Sequence, residues 1–262
     1  MLGSIIGDII GSVYEHNSIK TKRFPLFDSH CRFTDDSVMT IATASALMKR
    51  ADYAYSYRDF GRRYINAGYG RDFLRWILNS NFPAYNSFGN GSAMRVSPIG
   101  FAIDNVENVL SEARKSAEVS HNHPEGIKGA QAVALAIFRA KNGFSKKDIR
   151  EEISKTFEYD LSRTVDEIRP KYRFDPTCAG SVPESIICFL DSIDFEDAIR
   201  NAVSLGGDSD TQACITGGIA EAAYSIPANM LNKAREMIPK EFLDIIDRFY
   251  CFLKHQQHCP TL

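Results

Sequence analysis

The sequence predicts an all-α protein folded as one domain spanning residues 1–262. Three observations carry that expectation. Apolar residues recur at helical spacing through most of the chain, convincing strand alternation is absent, and no tandem repeat, low-complexity segment or linker divides it. The composition, 44% hydrophobic and 24% charged, is that of an ordinary globular protein, and the length suits one large domain.

The first element is the apolar stretch MLGSIIGDIIGSVYEH, read as a helix. Ile5, Ile6, Ile9, Ile10 and Val13 cover much of its surface, and Gly3, Gly7 and Gly11 form a small-residue stripe that lets another backbone approach closely. Asp8, Gly11 or Ser12, and Glu15 fall on one face at i, i+3/i+4 and i+7. Packing explains the glycines; it gives no reason for the two acids. The next helix is TDDSVMTIATASALMKR, residues 34–50, whose Thr-Asp start is a capping signal. Helices follow at 56–66, 70–79 and 105–119. The segment 125–143 opens after Pro124, closes at Gly143 and is apolar nearly all round, which marks a helix in the middle of the fold. Further helices are expected at 145–157, 182–191, 195–204, 209–224 and 240–253. Three stretches resist helix, 17–33, 80–92 and 170–181, and they collect Pro25, Pro83, Pro170 and Pro176 with Gly89, Gly91 and Gly180. Loops on a rigid scaffold are where function concentrates.

Bulk properties exclude several classes. A net charge of −2 lacks the basic surplus of a dedicated nucleic-acid binder. The apolar N-terminus has no basic n-region and no small-residue cleavage site, and Asp8 interrupts it, so it does not read as a signal peptide. No run approaches the ~20 apolar residues that span a bilayer. The cysteines, at 31, 178, 188, 214, 251 and 259, show no metal-ligand cadence and read as reduced core residues of a cytoplasmic protein.

The chemistry is concentrated in LGGDSDTQACITGGIAEAAY, residues 205–224, where Asp208 and Asp210 stand one residue apart at a helix start. One aspartate caps a helix well; a second gains little beyond the dipole, and the mutual repulsion calls for a cation. Thr34-Asp35-Asp36-Ser37 repeats the pattern at the start of another apolar helix. If the two helix starts converge, Asp35, Asp36, Asp208 and Asp210 meet with the hydroxyls of Thr34 and Thr211. Such hard oxygen ligands suit Mg²⁺, Mn²⁺ or Ca²⁺, and about two divalent ions would be needed to neutralise four carboxylates. The bland alternative is two unrelated caps. An EF-hand beginning at Asp208 fails, because Ala213 and Ile219 occupy the positions of its glycine and its final glutamate. No P-loop sequence occurs. NSFGNGSAMRVSPIG, 86–100, offers a glycine loop through which a backbone, together with the amides of the following helix start, could hold a phosphate. SHNHPEGIKGA, 120–130, places His121 and His123 just before a helix, where a single histidine is more often a cap or a surface residue than a ligand contact.

Together GDIIGSVYE (7–15), FTDDS (33–37), GNGSAMRVSPIG (89–100), SHNHPEGIKGA (120–130) and SVPESI…AVSLGGDSDTQACITGGIAEAAY (181–224) resemble the ADP-ribosylglycohydrolase family, which includes the dinitrogenase-reductase-activating glycohydrolase. The resemblance implies an all-α fold and a two-magnesium centre, with Mn²⁺ a possible substitute. It implies Thr34, Asp35, Asp36, Asp208, Asp210 and Thr211 as metal ligands, and Glu15, with Asp35 second, as the proton-transfer residue. Ser87, Phe88, Gly89, Asn90, Gly91 and Ser92 match the loop that holds ADP-ribose, with Phe88 packing on its sugar or base. His121 matches the ligand-contacting histidine in preference to His123. Ser37 stands where the family usually has threonine and keeps the hydroxyl, and after Tyr224 the expected turn is shortened to SIPANM. The implied reaction is hydrolysis of the glycosidic bond between ADP-ribose and an acceptor, releasing ADP-ribose, with no membrane involved. The rival class is a non-catalytic binder of ADP-ribose on the same fold.

Overall fold

In the computed structural model, which describes residues 1–258, α-helices account for every regular element apart from one 3₁₀ turn and one isolated β-bridge. Of the cysteines read above as core residues, Cys251 is exposed, and Cys259 lies outside the described residues. The helices are α1 (Leu2–Gly11), α2 (Asp35–Lys49), α3 (Tyr53–Arg63), α4 (Arg71–Leu78), α5 (Ser97–Ala102), α6 (Val106–Glu118), α7 (Pro124–Lys141), α8 (Lys146–Phe157), α9 (Val165–Ile168), α10 (Cys178–Leu190), α11 (Phe195–Ser204), α12 (Ser209–Ala223), α13 (Ala228–Met237) and α14 (Lys240–His258).

The core is built around α12, which packs on α1, α7, α10 and α11. Its contact with α1 is a meeting of backbones. A Cβ on Gly3 would stand 2.2 Å from the Gly217 carbonyl oxygen, one on Gly7 2.0 Å from that of Ala213, and one on Gly11 2.4 Å from that of Ser209. Only glycine permits that approach. The helix pair carries Asp8 and Asp210 toward each other, so the small-residue stripe of α1 has a consequence for the site as well as for packing. The apolar centre of α7 is buried along most of its length, as its all-round apolar character predicts.

Several boundaries differ from the periodicity. α3 starts at Tyr53 because Asp52 caps it, accepting from Tyr55 N at 2.8 Å. α10 starts at Cys178, inside a stretch expected to be loop: Thr177 caps it, and Pro183 is accommodated in its second turn. α5 and α9 are too short to declare themselves by periodicity; α9 is held by a capping box between Thr164 and Glu167. The SIPANM segment is only half a turn, since α13 begins at Ala228 directly after Pro227. α13 packs on α1 and α14 on α2, away from the cleft described next. No described helix is long and apolar enough to cross a membrane.

Candidate active site

Three helix ends meet at the acidic centre. Asp8 comes from α1, Thr34, Asp35 and Asp36 from the start of α2, and Asp208, Asp210 and Thr211 from the start of α12. Carboxylate oxygens of Asp8, Asp36 and Asp210 lie within 4.8 Å of one another, and so do those of Glu15, Asp208 and Asp210. Asp210 is common to both sets. Asp8 serves as the brace of the α2 start. Its Oδ2 accepts from Thr34 N (2.9 Å), Ser37 N (3.0 Å) and Ser37 Oγ, and its Oδ1 accepts from Thr34 Oγ1 (2.6 Å). Ser37 thus uses the hydroxyl it shares with threonine. Thr211 Oγ1 donates to Asp36 Oδ2 at 3.3 Å across the two helix starts.

Capping does not account for the acids of α12. Asp208 occupies the N-cap position and makes no side-chain cap; its Oδ2 accepts instead from Asn90 Nδ2 at 2.8 Å. The electrostatics show a centre short of positive charge. Burial pushes Asp8 up to about 6 against the hydrogen bonds it accepts, and burial with the charge of Asp8 pushes Asp35 up to about 8. Burial first, then neighbouring carboxylates, drive Asp36 and Asp210 well above the carboxylate range. Asp208 rises through burial, offset by the Asn90 bond, and Glu15 rises through burial, offset by His16. Asp36 Oδ1 is buried without a hydrogen-bond partner among the described residues. Clustered, desolvated carboxylates with an orphaned oxygen fit a hard divalent cation in chemistry and in charge.

The centre opens into a cleft of about 750 Å³, lined by these acids other than Asp8 and by Ser87, Gly89, Asn90, Gly91, Arg95 and His121. A volume of that size suits a small-molecule ligand (~300–1,000 Å³). The glycine loop is pinned to the start of α10: Asn90 N donates to Pro176 O (2.8 Å) and Cys178 N to Phe88 O (2.9 Å). The loops 17–33 and 170–181 are tied together, with Lys20 Nζ donating to Tyr172 O at 2.7 Å and also to Leu205 O. Arg32 of the first, and Phe174 and Pro176 of the second, face the cleft.

Placement separates the sequence-derived candidates. Thr34, Asp35, Asp36, Asp208, Asp210, Thr211, Glu15, Ser87, Gly89, Asn90, Gly91 and His121 all line one cleft. Asp35 does so outside both carboxylate triplets. Glu15 is not on the face of α1, because that helix ends at Gly11 and Glu15 follows in a turn. Phe88 stays off the cleft wall and lies edge-on to His123, with ring centres 5.5 Å apart; the aromatic walls are Phe73, Tyr85 and Phe174. Ser92 is buried and braces the loop, donating to Gly126 O at 2.7 Å. The glycine loop runs into a single 3₁₀ turn, Asn90–Ser92, and offers no long helix start there. His123 caps α7, accepting from Glu125 N at 3.1 Å. Sequence reasoning overlooked Arg95, whose position in the apolar run SAMRV was the available signal.

Known proteins resemble this chain in sequence and fold. The sequence profile described as ADP-ribosylglycohydrolase matches residues 1–259. The ADP-ribosylhydrolase ARH3 of Mus musculus is 26% identical, over 86% of this chain and 83% of its own. The ADP-ribosylarginine hydrolase Tri1 of Pseudomonas putida is 24% identical, over 86% and 70%. A solved structure of an ADP-ribosylglycohydrolase-related protein complex superposes with a TM-score of 0.74 at 25% identity, covering 95% of each chain. With the family profile matched along nearly its whole length, the chain belongs to the ADP-ribosylglycohydrolase family, a family of glycosidic-bond-cleaving enzymes.

Proposed function

We propose that this protein is a magnesium-dependent hydrolase that releases ADP-ribose from a modified acceptor by cleaving the glycosidic bond at the ribose C1″. The observation that carries the reading is the meeting of two carboxylate triplets with the Gly89–Gly91 loop and His121 in one cleft. The activities for which ARH3 and Tri1 are named point to the same substrate class. Thr34, Asp35, Asp36, Asp208, Asp210 and Thr211, braced by Asp8, would hold two Mg²⁺ ions, with Mn²⁺ a substitute. When bound, the cations supply Lewis acidity and a template for the ribose hydroxyls.

The chain's own residues do the rest. Glu15 Oε takes a proton from the water that attacks C1″; the hydroxide oxygen bonds to C1″ as the bond to the acceptor nitrogen or oxygen breaks. The same proton passes from Glu15 to the departing acceptor. The raised affinity of Glu15 for a proton suits both halves of that transfer. Asp35 is the second candidate for the role. Ser87, the Gly89–Gly91 backbone and His121 hold the diphosphate, and Phe174 rather than Phe88 offers the ring for the sugar or base. The acceptor is read by the loops 17–33 and 170–181, and the cytoplasm is the compartment assigned from the cysteine pattern.

The test is mass spectrometry of products from ADP-ribosylated arginine, serine, nucleic-acid base and small-molecule substrates, with Mg²⁺ and then with chelator. Free ADP-ribose should appear from at least one substrate and vanish with chelator. Tight binding of ADP-ribose without release from any of them would make the protein a binder and overturn the enzymatic reading.

A further inference from the structure

The cleft contains a cation that the glycosidic chemistry does not use. Arg95 is fully buried, lines the cleft and stacks over the Tyr57 ring at 4.3 Å. Its Nη2 donates to Ser116 O (2.6 Å) and to Ser120 Oγ (3.1 Å), while Nε and Nη1 have no hydrogen-bond partner among the described residues. Ser120, also buried, places its Oγ 2.8 Å from His121 Nδ1. These three side chains form a chain of contacts that ends on the wall of the cleft.

The direction of each hydrogen bond in that chain follows from the chemistry of its first member. A guanidinium cannot accept a hydrogen bond and keeps its protons in proteins, so one lone pair of Ser120 Oγ is permanently occupied by a donor. Among the described residues, the other polar contact of this hydroxyl is His121 Nδ1. A proton on Nδ1 would give Ser120 a second donor and leave its own O–H buried without an acceptor, which is costly. With Nδ1 bare, Ser120 donates to it, and both the hydroxyl and Nδ1 are satisfied. The imidazole is then neutral, with its proton on Nε2. Burial, and then the charge of Arg95, hold His121 well below the usual imidazole range, which agrees. Nε2 faces the glycine loop: a Cβ on Gly91 would stand 3.0 Å from it, and one on Gly89 3.7 Å.

We propose that Arg95 and Ser120 are positioning residues that lock His121 as its Nε2–H tautomer, a hydrogen-bond donor presented to an anionic ligand oxygen seated on the Gly89–Gly91 loop. The identity of that oxygen as a diphosphate oxygen rests on the ADP-ribose reading above; the tautomer does not.

Two measurements on the full chain separate the two claims. Long-range ¹H–¹⁵N spectra of histidine-labelled protein, with His121 assigned by loss of its signals in His121→Gln, should show a protonated Nε2 and a bare Nδ1 at neutral pH. An Nδ1–H tautomer or an imidazolium would overturn the proposal whether or not ADP-ribose binds. Ser120→Ala should let the second tautomer appear and weaken ADP-ribose binding by calorimetry roughly ten-fold, the loss expected for one hydrogen bond to a charged group. Its melting temperature and Mg²⁺ affinity should stay near those of the parent. An unchanged His121 spectrum in Ser120→Ala would remove Ser120 and Arg95 from the role. No ADP-ribose binding by a parent with the expected tautomer would leave the lock standing and defeat the ligand assignment instead.

Discussion

Glu15 is the acid of the cluster that stands in a turn, partly open to the cleft, with His16 Nε2 3.7 Å away. Its charge has no packing purpose, so its substitution isolates chemistry from structure. Glu15→Gln keeps the shape and removes the basic oxygen. Turnover should fall by ~10²-fold or more, the usual scale for general acid–base catalysis, while ADP-ribose affinity by calorimetry changes little. Loss of both together would make Glu15 a ligand of metal or substrate; unchanged turnover would transfer the role to Asp35. Gly91 is a second single-residue test. Its missing Cβ already lies 3.0 Å from His121 Nε2, so the branched side chain of Gly91→Val would fill the space between loop and imidazole. ADP-ribose binding should be abolished with Mg²⁺ uptake retained, and parent-like ADP-ribose affinity would refute the loop assignment.

At the scale of elements, the site depends on how closely α1 lies on α12. Residues in the middle of that contact never touch the cleft, yet they set the distance between Asp8 and Asp210. Gly7→Ala would place a methyl 2.0 Å from the Ala213 carbonyl oxygen, and backbone on both sides leaves no flexible group to yield. Overpacking of this kind costs about 1–3 kcal/mol. Thermal unfolding should therefore shift down, and Mg²⁺ affinity by isothermal titration should fall in the same variant. A variant destabilised but with parent-like Mg²⁺ affinity would show that the carboxylate cage does not rely on the helix pair. The α2 start makes a similar point: its cap, Thr34, is held by Asp8 on α1, so helix capping and cage assembly are one hydrogen-bonded unit.

The whole molecule couples folding to protons and cations through these acids. In the metal-free protein Asp8 and Asp35 rise from an ordinary 3.8 to about 6 and about 8. The folded state then holds protons that the unfolded chain has released, so stability falls as pH rises across that interval. For these two groups the loss is absent below the ordinary carboxylate range and complete once pH passes the folded value of Asp35. With chelator, the melting temperature should drop between about pH 5 and pH 8; saturating Mg²⁺ should raise it most at the upper end, where the ligands are ionised. A metal-free melting temperature that rises across this interval would contradict the assignment. Asp208→Ala should remove most divalent-ion uptake in titration and with it most of the Mg²⁺-dependent stabilisation.

Local pattern was enough to find the long helices, because their apolar spacing reports burial one turn at a time. It also exposed the two Thr/Asp starts, since a helix needs one capping acceptor and each start carries more. Short elements escaped it: α5 and α9 hold too few residues for a period, and α10 hides its first turn behind a capping threonine and an internal proline. The site's long-range partnerships are of another kind. Thr211 reaches Asp36 across 175 residues, Asn90 reaches Asp208 across 118, and Asp8 has both oxygens consumed by Thr34 and Ser37. That Phe174 rather than Phe88 faces the cleft, and that Arg95 lies buried behind His121, likewise depend on which loop packs on which helix. The sequence by itself determined the helices, the acidic helix starts and the glycine loop, because each is a property of neighbours along the chain. Only the tertiary structure decided which oxygens share a cage and which ring nitrogen faces the ligand, because those depend on contacts between segments far apart in sequence.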